Sequence, residues 1–214
     1  MSTTDLDVRV LTCPPTEADV RALRVGDLVN LRGDVVLCAG MTTHQRIRDT
    51  MARGEPLPID LTGGSLLHLG SYSEEGADGF KIRYLNPTTS TRFNDFLPDF
   101  VRGLNLRVIG GKGGLDACSV AALRESGCVY LSFLGGGCTM LSRAIREVRA
   151  VEWTDLVSHY RLVKLRVEDL GPATVGIDAH GNSLYEDLGR QADERMPEIL
   201  RELAAQREEG AAAR

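Results

Sequence analysis

Two short segments of the chain carry side chains suited to binding a small anion. Residues 87–92 read Pro-Thr-Thr-Ser-Thr-Arg, a run of four hydroxyl residues followed by Arg92. Residues 110–114 read Gly-Gly-Lys-Gly-Gly and set Lys112 among four glycines. An arginine binds a carboxylate or phosphate through two parallel hydrogen bonds, and glycine lets a backbone approach a ligand closely. Each segment alone is more typical of a helix cap or a turn, but together they predict an anion site.

The elements expected around these segments would place both at one edge of a sheet. An apolar run over residues 80–85 predicts a strand before the hydroxyl residues, which should themselves begin a helix. Residues 106–109 predict a buried strand that leads into the second segment, and residues 115–125 predict the helix after it. Free N–H groups at the start of a helix attract anions, and open α/β sheets bind ligands at the carboxyl ends of their strands.

The wider pattern predicts an α/β protein. Strand and helix patterns alternate between residues 80 and 150, which indicates βαβ units and a parallel or mixed sheet. Residues 71–79 are polar and predict an exposed loop, whereas residues 138–148 place apolar side chains on one helical face. Residues 163–167 and 174–177 predict two further strands.

Composition narrows the possible classes of protein. The chain has 214 residues and a net charge of -5, without a dense Lys/Arg stripe, so nucleic-acid binding is not indicated. No apolar run approaches membrane-spanning length and the N-terminus lacks a signal-peptide pattern, so we expect a cytoplasmic protein away from membranes. The five cysteines are Cys13, Cys38, Cys118, Cys128 and Cys138. They are odd in number and never spaced as C-x-x-C, so we expect neither a disulfide framework nor a metal site.

Common nucleotide-binding and triad motifs are missing. Residues 110–114 lack the spacing of a phosphate-binding P-loop and the G-x-G-x-x-G of a dinucleotide site, and no Ser-His-Asp ordering stands out. His44 falls in the first turn of a helix predicted over residues 42–53. It is a candidate donor to a bound anion, although a histidine satisfied locally at a helix start explains it equally well.

Residues 87–92 and 110–114 also resemble segments of a known family. A Pro-Thr-Thr-Ser-x-Arg motif followed about twenty residues later by Gly-Lys-Gly-Gly resembles the β part of class I, iron–sulfur fumarases and L-tartrate dehydratases. Further segments match in the same order, over residues 57–61, 130–139, 167–173 and 178–185. The likeness covers residues 22–188, so we expect one domain of this family over residues 1–188 and a charged C-terminal helix or tail over residues 189–214.

The resemblance implies a swivelling β/β/α domain with a mixed sheet and flanking helices. It implies a hydro-lyase that adds or removes water on a small carboxylic acid, active only with an α subunit that ligates a [4Fe-4S] cluster, in a hetero-oligomer of α2β2 type. Thr88 and Lys112 are then the catalytic candidates, with Thr88 transferring the proton. Arg92, Thr89, Lys112 and His44 are the candidate substrate-binding residues, and no metal ligand is expected on this chain.

One segment departs from the family pattern. The family usually has Arg-Asp-Ala-Ala-His before its second helix, where residues 40–44 here read Gly-Met-Thr-Thr-His. We therefore expect an acid other than plain fumarate or tartrate, either substituted or with one carboxylate replaced. The alternative is a non-catalytic carboxylate-binding or assembly domain that keeps the fold. A stand-alone enzyme is disfavoured, because no complete nucleophile-and-base set is visible.

Overall fold

The computed structural model describes residues 7–77 and 79–212, with side chains as far as residue 207. The strands are β1 (Val8–Cys13), β2 (Leu28–Leu37), β3 (Ser65–Leu67), β4 (Leu69–Gly76), β5 (Gly79–Pro87), β6 (Val108–Gly111), β7 (Val129–Ser132), β8 (Ile145–Glu152) and β9 (Leu162–Ile177). The helices are α1 (Glu17–Arg21), α2 (Met41–Ala52), α3 (Leu97–Gly103), α4 (Ala117–Ser126), α5 (Cys138–Ser142) and α6 (Leu184–Ala212). Two short 3-10 turns complete the set, Ser90–Phe93 and Ser158–Tyr160.

Seven of the strands form one mixed sheet in the order β1-β2-β3-β6-β7-β9-β8. Strands β1, β2, β3, β6 and β7 run parallel, whereas β9 is antiparallel to β7, β8 and β2. Consecutive residues of β3 face opposite sides, so that Leu66 and Leu67 enter two different apolar clusters. The predicted α/β fold, with a mixed sheet and flanking helices, is confirmed.

Three predicted elements were wrong. Residues 71–79 are not an exposed loop, because β4 and β5 pair there as an antiparallel hairpin. The helix predicted over residues 138–148 ends at Ser142, and strand β8 follows it and pairs with β9. The two strands predicted at residues 163–167 and 174–177 are one strand, β9, which continues past a positive φ of 58° at Asp169 with irregular register against β2.

Helix α3 anchors the segment that follows the hydroxyl residues. Leu97 and Phe100 are fully buried, and they pack in the cluster that also contains Ile47 of α2 and Leu123 of α4. The C-terminal segment expected as a helix or tail lies within α6 as far as Ala212, and residues 213–214 lie outside the described residues. No helix in the described ranges is long and apolar enough to cross a membrane.

Leu97→Ala should lower the free energy of unfolding by about 2–5 kcal/mol, because it removes a wholly buried side chain and leaves a cavity. Leu200→Ala is the matched control, since Leu200 lies on α6 with 57% of its surface exposed and should change stability by less than about 0.5 kcal/mol. Urea unfolding measures both variants. Equal losses would contradict the assignment of α3 to the core.

Candidate active site

The two segments predicted to bind an anion lie against each other and are joined through the backbone. We call residues 87–92 the hydroxyl loop and residues 110–114 the lysine loop. The Lys112 N–H donates to the Thr88 carbonyl at 3.0 Å, and the Ser90 N–H donates to the Lys112 carbonyl at 2.9 Å. The hydroxyl loop therefore continues the sheet as a short parallel bridge beyond the end of β6.

Gly111 makes this approach possible because it has no side chain. A Cβ atom at this position would lie 2.2 Å from the Ser90 Oγ and 3.0 Å from the Thr88 carbonyl oxygen. Real Cβ atoms do not come so close to other heavy atoms, so an alanine here must push the hydroxyl loop away. The glycines of the lysine loop thus have a packing role in addition to any contact with a ligand.

The hydroxyl loop does not begin an α-helix as the sequence analysis expected. Only the four-residue 3-10 turn Ser90–Phe93 follows it, and α3 starts at Leu97. The Thr88 N–H donates to the His68 carbonyl at 2.8 Å, and the Ser90 N–H donates to Lys112. Two N–H groups of the hydroxyl loop are therefore already used. The prediction that these residues begin an α-helix, whose dipole would favour an anion here, was therefore wrong.

A buried chain of polar groups fixes the Ser90 hydroxyl beneath the loop. His68 Nδ1 lies 2.8 Å from Ser90 Oγ, and the Tyr130 hydroxyl lies 3.0 Å from Ser90 Oγ and 2.8 Å from the Gly113 carbonyl oxygen. A carbonyl only accepts, so each proton finds a partner if His68 Nδ1–H donates to Ser90, Ser90 to Tyr130, and Tyr130 to Gly113. This chain ties the hydroxyl loop to the lysine loop a second time.

Burial keeps this chain uncharged. It lowers the pKa of His68 well below its usual range, to which the neighbouring His44 adds, and it raises the pKa of Tyr130. Both rings are fully buried. The described groups around Ser90 are therefore neutral hydrogen-bonding partners that hold the loop in place.

Thr88 and Arg92 line one cleft of about 320 Å³. The hairpin contributes Gly70, Tyr84 and Asn86 to the same cleft. Unlike Arg102 of α3, which pairs with Glu125 at 2.9 Å, Arg92 is exposed and forms no ion pair with a described residue.

The cleft is completed by residues distant in sequence, Ala39, His159 and Tyr160. His159 and Tyr160 sit in the 3-10 turn before β9, where no motif in the sequence marked them as part of a site. A wider depression of about 450 Å³ along α2 contains none of the predicted site residues, so the smaller cleft is the better candidate.

Lys112 and Thr89 are paired with each other but do not line this cleft. The half-buried Lys112 donates from Nζ to Thr89 Oγ1 at 3.0 Å, and its Cδ lies 3.5 Å from the position a Cβ of Gly135 would take. Thr88 and Thr89 are adjacent in the chain, so the paired Lys112 is close behind the cleft. The structure thus brings Thr88 together with Arg92, and Thr89 together with Lys112.

His44 lies in the core and does not line the cleft. Its ring stacks on Phe93 with centroids 3.8 Å apart, and its Nδ1 lies 2.8 Å from the Gly40 carbonyl oxygen. Burial lowers the pKa of His44 to about 4. To contribute to substrate binding as predicted, His44 would have to do so indirectly, by positioning Phe93 or the hydroxyl loop.

Sequence reasoning missed His68, Tyr130, His159 and Tyr160. The signal for His68 is a histidine directly after two apolar strand residues, a pattern that also fits the polar face of a strand. The signal for Tyr130 was a hydroxyl group in a wholly apolar strand, because such a group requires a buried partner. Within residues 7–77 and 79–212, no three His, Cys, Asp or Glu side chains come together as a possible metal site.

Comparison with known proteins identifies the family. A family model described as "Fumarase C-terminus" matches residues 2–188, so the chain belongs to this family. A putative L(+)-tartrate dehydratase subunit beta from Methanocaldococcus jannaschii is 32% identical over 186 residues, 86% of this chain and 95% of the relative. The resemblance deduced from the motifs is confirmed.

Two further relatives carry related names. The L(+)-tartrate dehydratase subunit beta of Escherichia coli K12 is 29% identical over 195 residues, which cover 91% of this chain and 95% of that protein. A putative fumarate hydratase class I from Geobacillus stearothermophilus is 31% identical over 202 residues, 93% of this chain but only 38% of the relative. The chain thus matches nearly all of a subunit in one case and part of a longer protein in the other.

Gly111→Ala should lower the free energy of unfolding by about 1–3 kcal/mol, because the new methyl group meets the Ser90 Oγ and the Thr88 backbone. Gly135→Ala is the matched control, since its Cβ would make only an ordinary contact 3.5 Å from Lys112 Cδ. Urea unfolding and backbone NMR shifts of the hydroxyl loop measure the difference. If the two variants behaved alike, the close approach at Gly111 would be refuted.

Acid should destabilise the fold through His44. Its pKa is about 4 when folded and 6.5 when unfolded, so the unfolded chain takes up the proton first and stability falls as pH drops from 7 to 4. His44 alone accounts for about 3 kcal/mol of this loss, and His68 adds to it with the same sign. His44→Gln should flatten the pH profile of urea unfolding. Parallel profiles for wild type and His44→Gln would contradict this account.

Proposed function

We propose that the chain is the β subunit of a two-chain [4Fe-4S] hydro-lyase acting on a small hydroxy or unsaturated carboxylic acid. The observation that carries this proposal is the shared cleft in which Thr88 faces the same space as Arg92. Family membership and the names of the relatives support it, since several of them are called subunit beta of a dehydratase.

The reaction needs one group to hold a carboxylate and another to move a proton. Dehydration removes a proton from one carbon and hydroxide from its neighbour, which leaves a carbon–carbon double bond and water, and hydration is the reverse. In our proposal Arg92 pairs with the carboxylate beside the carbon that loses the proton, and it stabilises the negative charge that develops there. The guanidinium is exposed and forms no ion pair with a described residue, so it is available to do so.

Thr88 takes the position of the proton-transferring group. A threonine hydroxyl is a weak base, so it must act in a closed site with help from neighbouring groups. The hydroxyl is half-buried and sits on a backbone fixed by the bonds from Lys112 and to His68, so its position is well defined. Lys112 supports it from behind by holding the adjacent Thr89 hydroxyl with a positive charge.

The described residues of this chain do not fit an iron–sulfur cluster. Three of the five cysteines are buried and the two others, Cys118 and Cys138, lie on different helices. We therefore assign the cluster to the α subunit, from which it would supply Lewis-acid chemistry to the shared site. The open side of the cleft is where that subunit would close over the substrate, in an assembly of α2β2 type.

Thr88→Ala in the co-purified α–β complex should reduce kcat about 100-fold or more with little change in KM, because the proton-transferring hydroxyl is lost. Thr88→Ser should retain most of the activity. Thr91→Ala is the matched control. Thr91 has no assigned role in the reaction, and its exposed hydroxyl already donates to the Gly114 carbonyl. The measurement is steady-state kinetics under anaerobic conditions with fumarate, tartrate and related acids.

Two outcomes would contradict the proposal in different ways. Unchanged turnover in Thr88→Ala, with an intact cluster, would remove Thr88 from the reaction. Absence of turnover by the wild-type complex for every acid, together with carboxylate binding that depends on Arg92, would establish the non-catalytic alternative.

A further inference from the structure

The turn that carries His159 and Tyr160 into the cleft is fixed on both sides. Ser158 Oγ accepts a hydrogen bond from the Ser73 N–H at 2.5 Å and lies 2.9 Å from the Ser73 hydroxyl. The Thr43 hydroxyl at the start of α2 donates to the Tyr160 carbonyl. The turn is therefore joined to the hairpin on one side and to α2 on the other. These bonds hold the segment that carries His159 and Tyr160 in place.

Gly40 allows the Tyr160 ring to pack closely. A Cβ atom at Gly40 would lie 2.5 Å from Tyr160 Cγ, whereas one at Gly70 would make only an ordinary contact, 3.7 Å from the His159 Cβ. The His159 and Tyr160 rings meet edge to face, with centroids 4.5 Å apart and an angle of 71° between planes. The two rings therefore pack against each other on this side of the cleft.

The lining of the cleft, eight residues in the described part of the chain, contains one positively charged residue, Arg92, and no acidic residue. Lys112 is turned to Thr89 and does not line the cleft. Away from Arg92, the polar residues that line the cleft are Tyr84, Asn86, Thr88, His159 and Tyr160.

We propose that Tyr84, His159 and Tyr160 form the specificity pocket of the site and select acids that carry one carboxylate and an uncharged polar group at the other end. This inference rests on the proposed hydro-lyase function, which it deepens by naming the substrate class. The carboxylate pairs with Arg92, and the uncharged end makes hydrogen bonds to the tyrosine and histidine side chains while its carbon atoms contact the rings.

The discrimination follows from desolvation. A second carboxylate placed among these side chains would lose part of its water without meeting a second Lys or Arg of the lining, which is costly. An ester, amide or alcohol at the same place loses less on leaving water and can be fully hydrogen-bonded. A site built to hydrogen-bond one group discriminates strongly against another that leaves its partners unpaired.

Fumarate and monomethyl fumarate are a matched pair of probes, since they share one carbon skeleton and differ in the charge of one end. In the α–β complex, kcat/KM for hydration and the Kd from calorimetry should both favour the monoester by about tenfold or more. His159→Ala and Tyr160→Phe should each reduce this preference about fivefold, the effect of one lost hydrogen bond. His180→Ala is the histidine control, because the exposed His180 lies outside the cleft.

The two readouts separate this inference from the function on which it rests. Preferred binding of the monoester without hydration of either compound would support the pocket and refute the hydro-lyase. Hydration with fumarate equal to or better than the monoester would support the hydro-lyase and overturn the pocket. A preference that survives both His159→Ala and Tyr160→Phe, or failure of both compounds to bind, would also overturn it.

Discussion

The candidate site depends on how closely the hydroxyl loop approaches the backbone of Gly111. Two backbone hydrogen bonds with Lys112 and the contact between Ser90 and Gly111 turn two separate loops into one rigid unit at the end of β6. The Ser90 N–H is used in this contact and the Thr88 N–H is used by the His68 carbonyl, so neither is free as it would be at a helix N-terminus. The chemistry that we propose for the loop therefore rests on its side chains.

Polar groups around the loop divide into a neutral buried set and a charged exposed one. His68 and Tyr130 are kept uncharged by burial and hold Ser90, while the guanidinium of Arg92 remains at the surface of the cleft. This division suits a ligand whose negative charge is met at one point only. It also leaves the open side of the cleft for a second chain, which accords with our assignment of the cluster to an α subunit.

The sequence identified the two key loops because their composition is local: four hydroxyl residues, an arginine and a glycine-flanked lysine need no tertiary information. It could not place His159 and Tyr160, because their turn is held beside the cleft by tertiary contacts with Ser73, Thr43 and Gly40. It also mistook β4 for a loop, since the buried Ser71 and Ser73 look like exposed polar residues until their strand partners are known. The hydroxyl residues do not begin a helix as expected, because the N–H groups of Thr88 and Ser90 bond to His68 and Lys112, and α3 begins only at Leu97.

The central claim is that this chain supplies the carboxylate-binding half of an active site that a second chain completes. The most direct test is a crystal structure of the co-purified complex with a bound carboxylic acid. The account predicts that the acid lies between the two chains, with a carboxylate paired to Arg92 and a reacting carbon facing the Thr88 hydroxyl. A partner docked on another face of the sheet, or an acid bound away from Arg92 and Thr88, would contradict it.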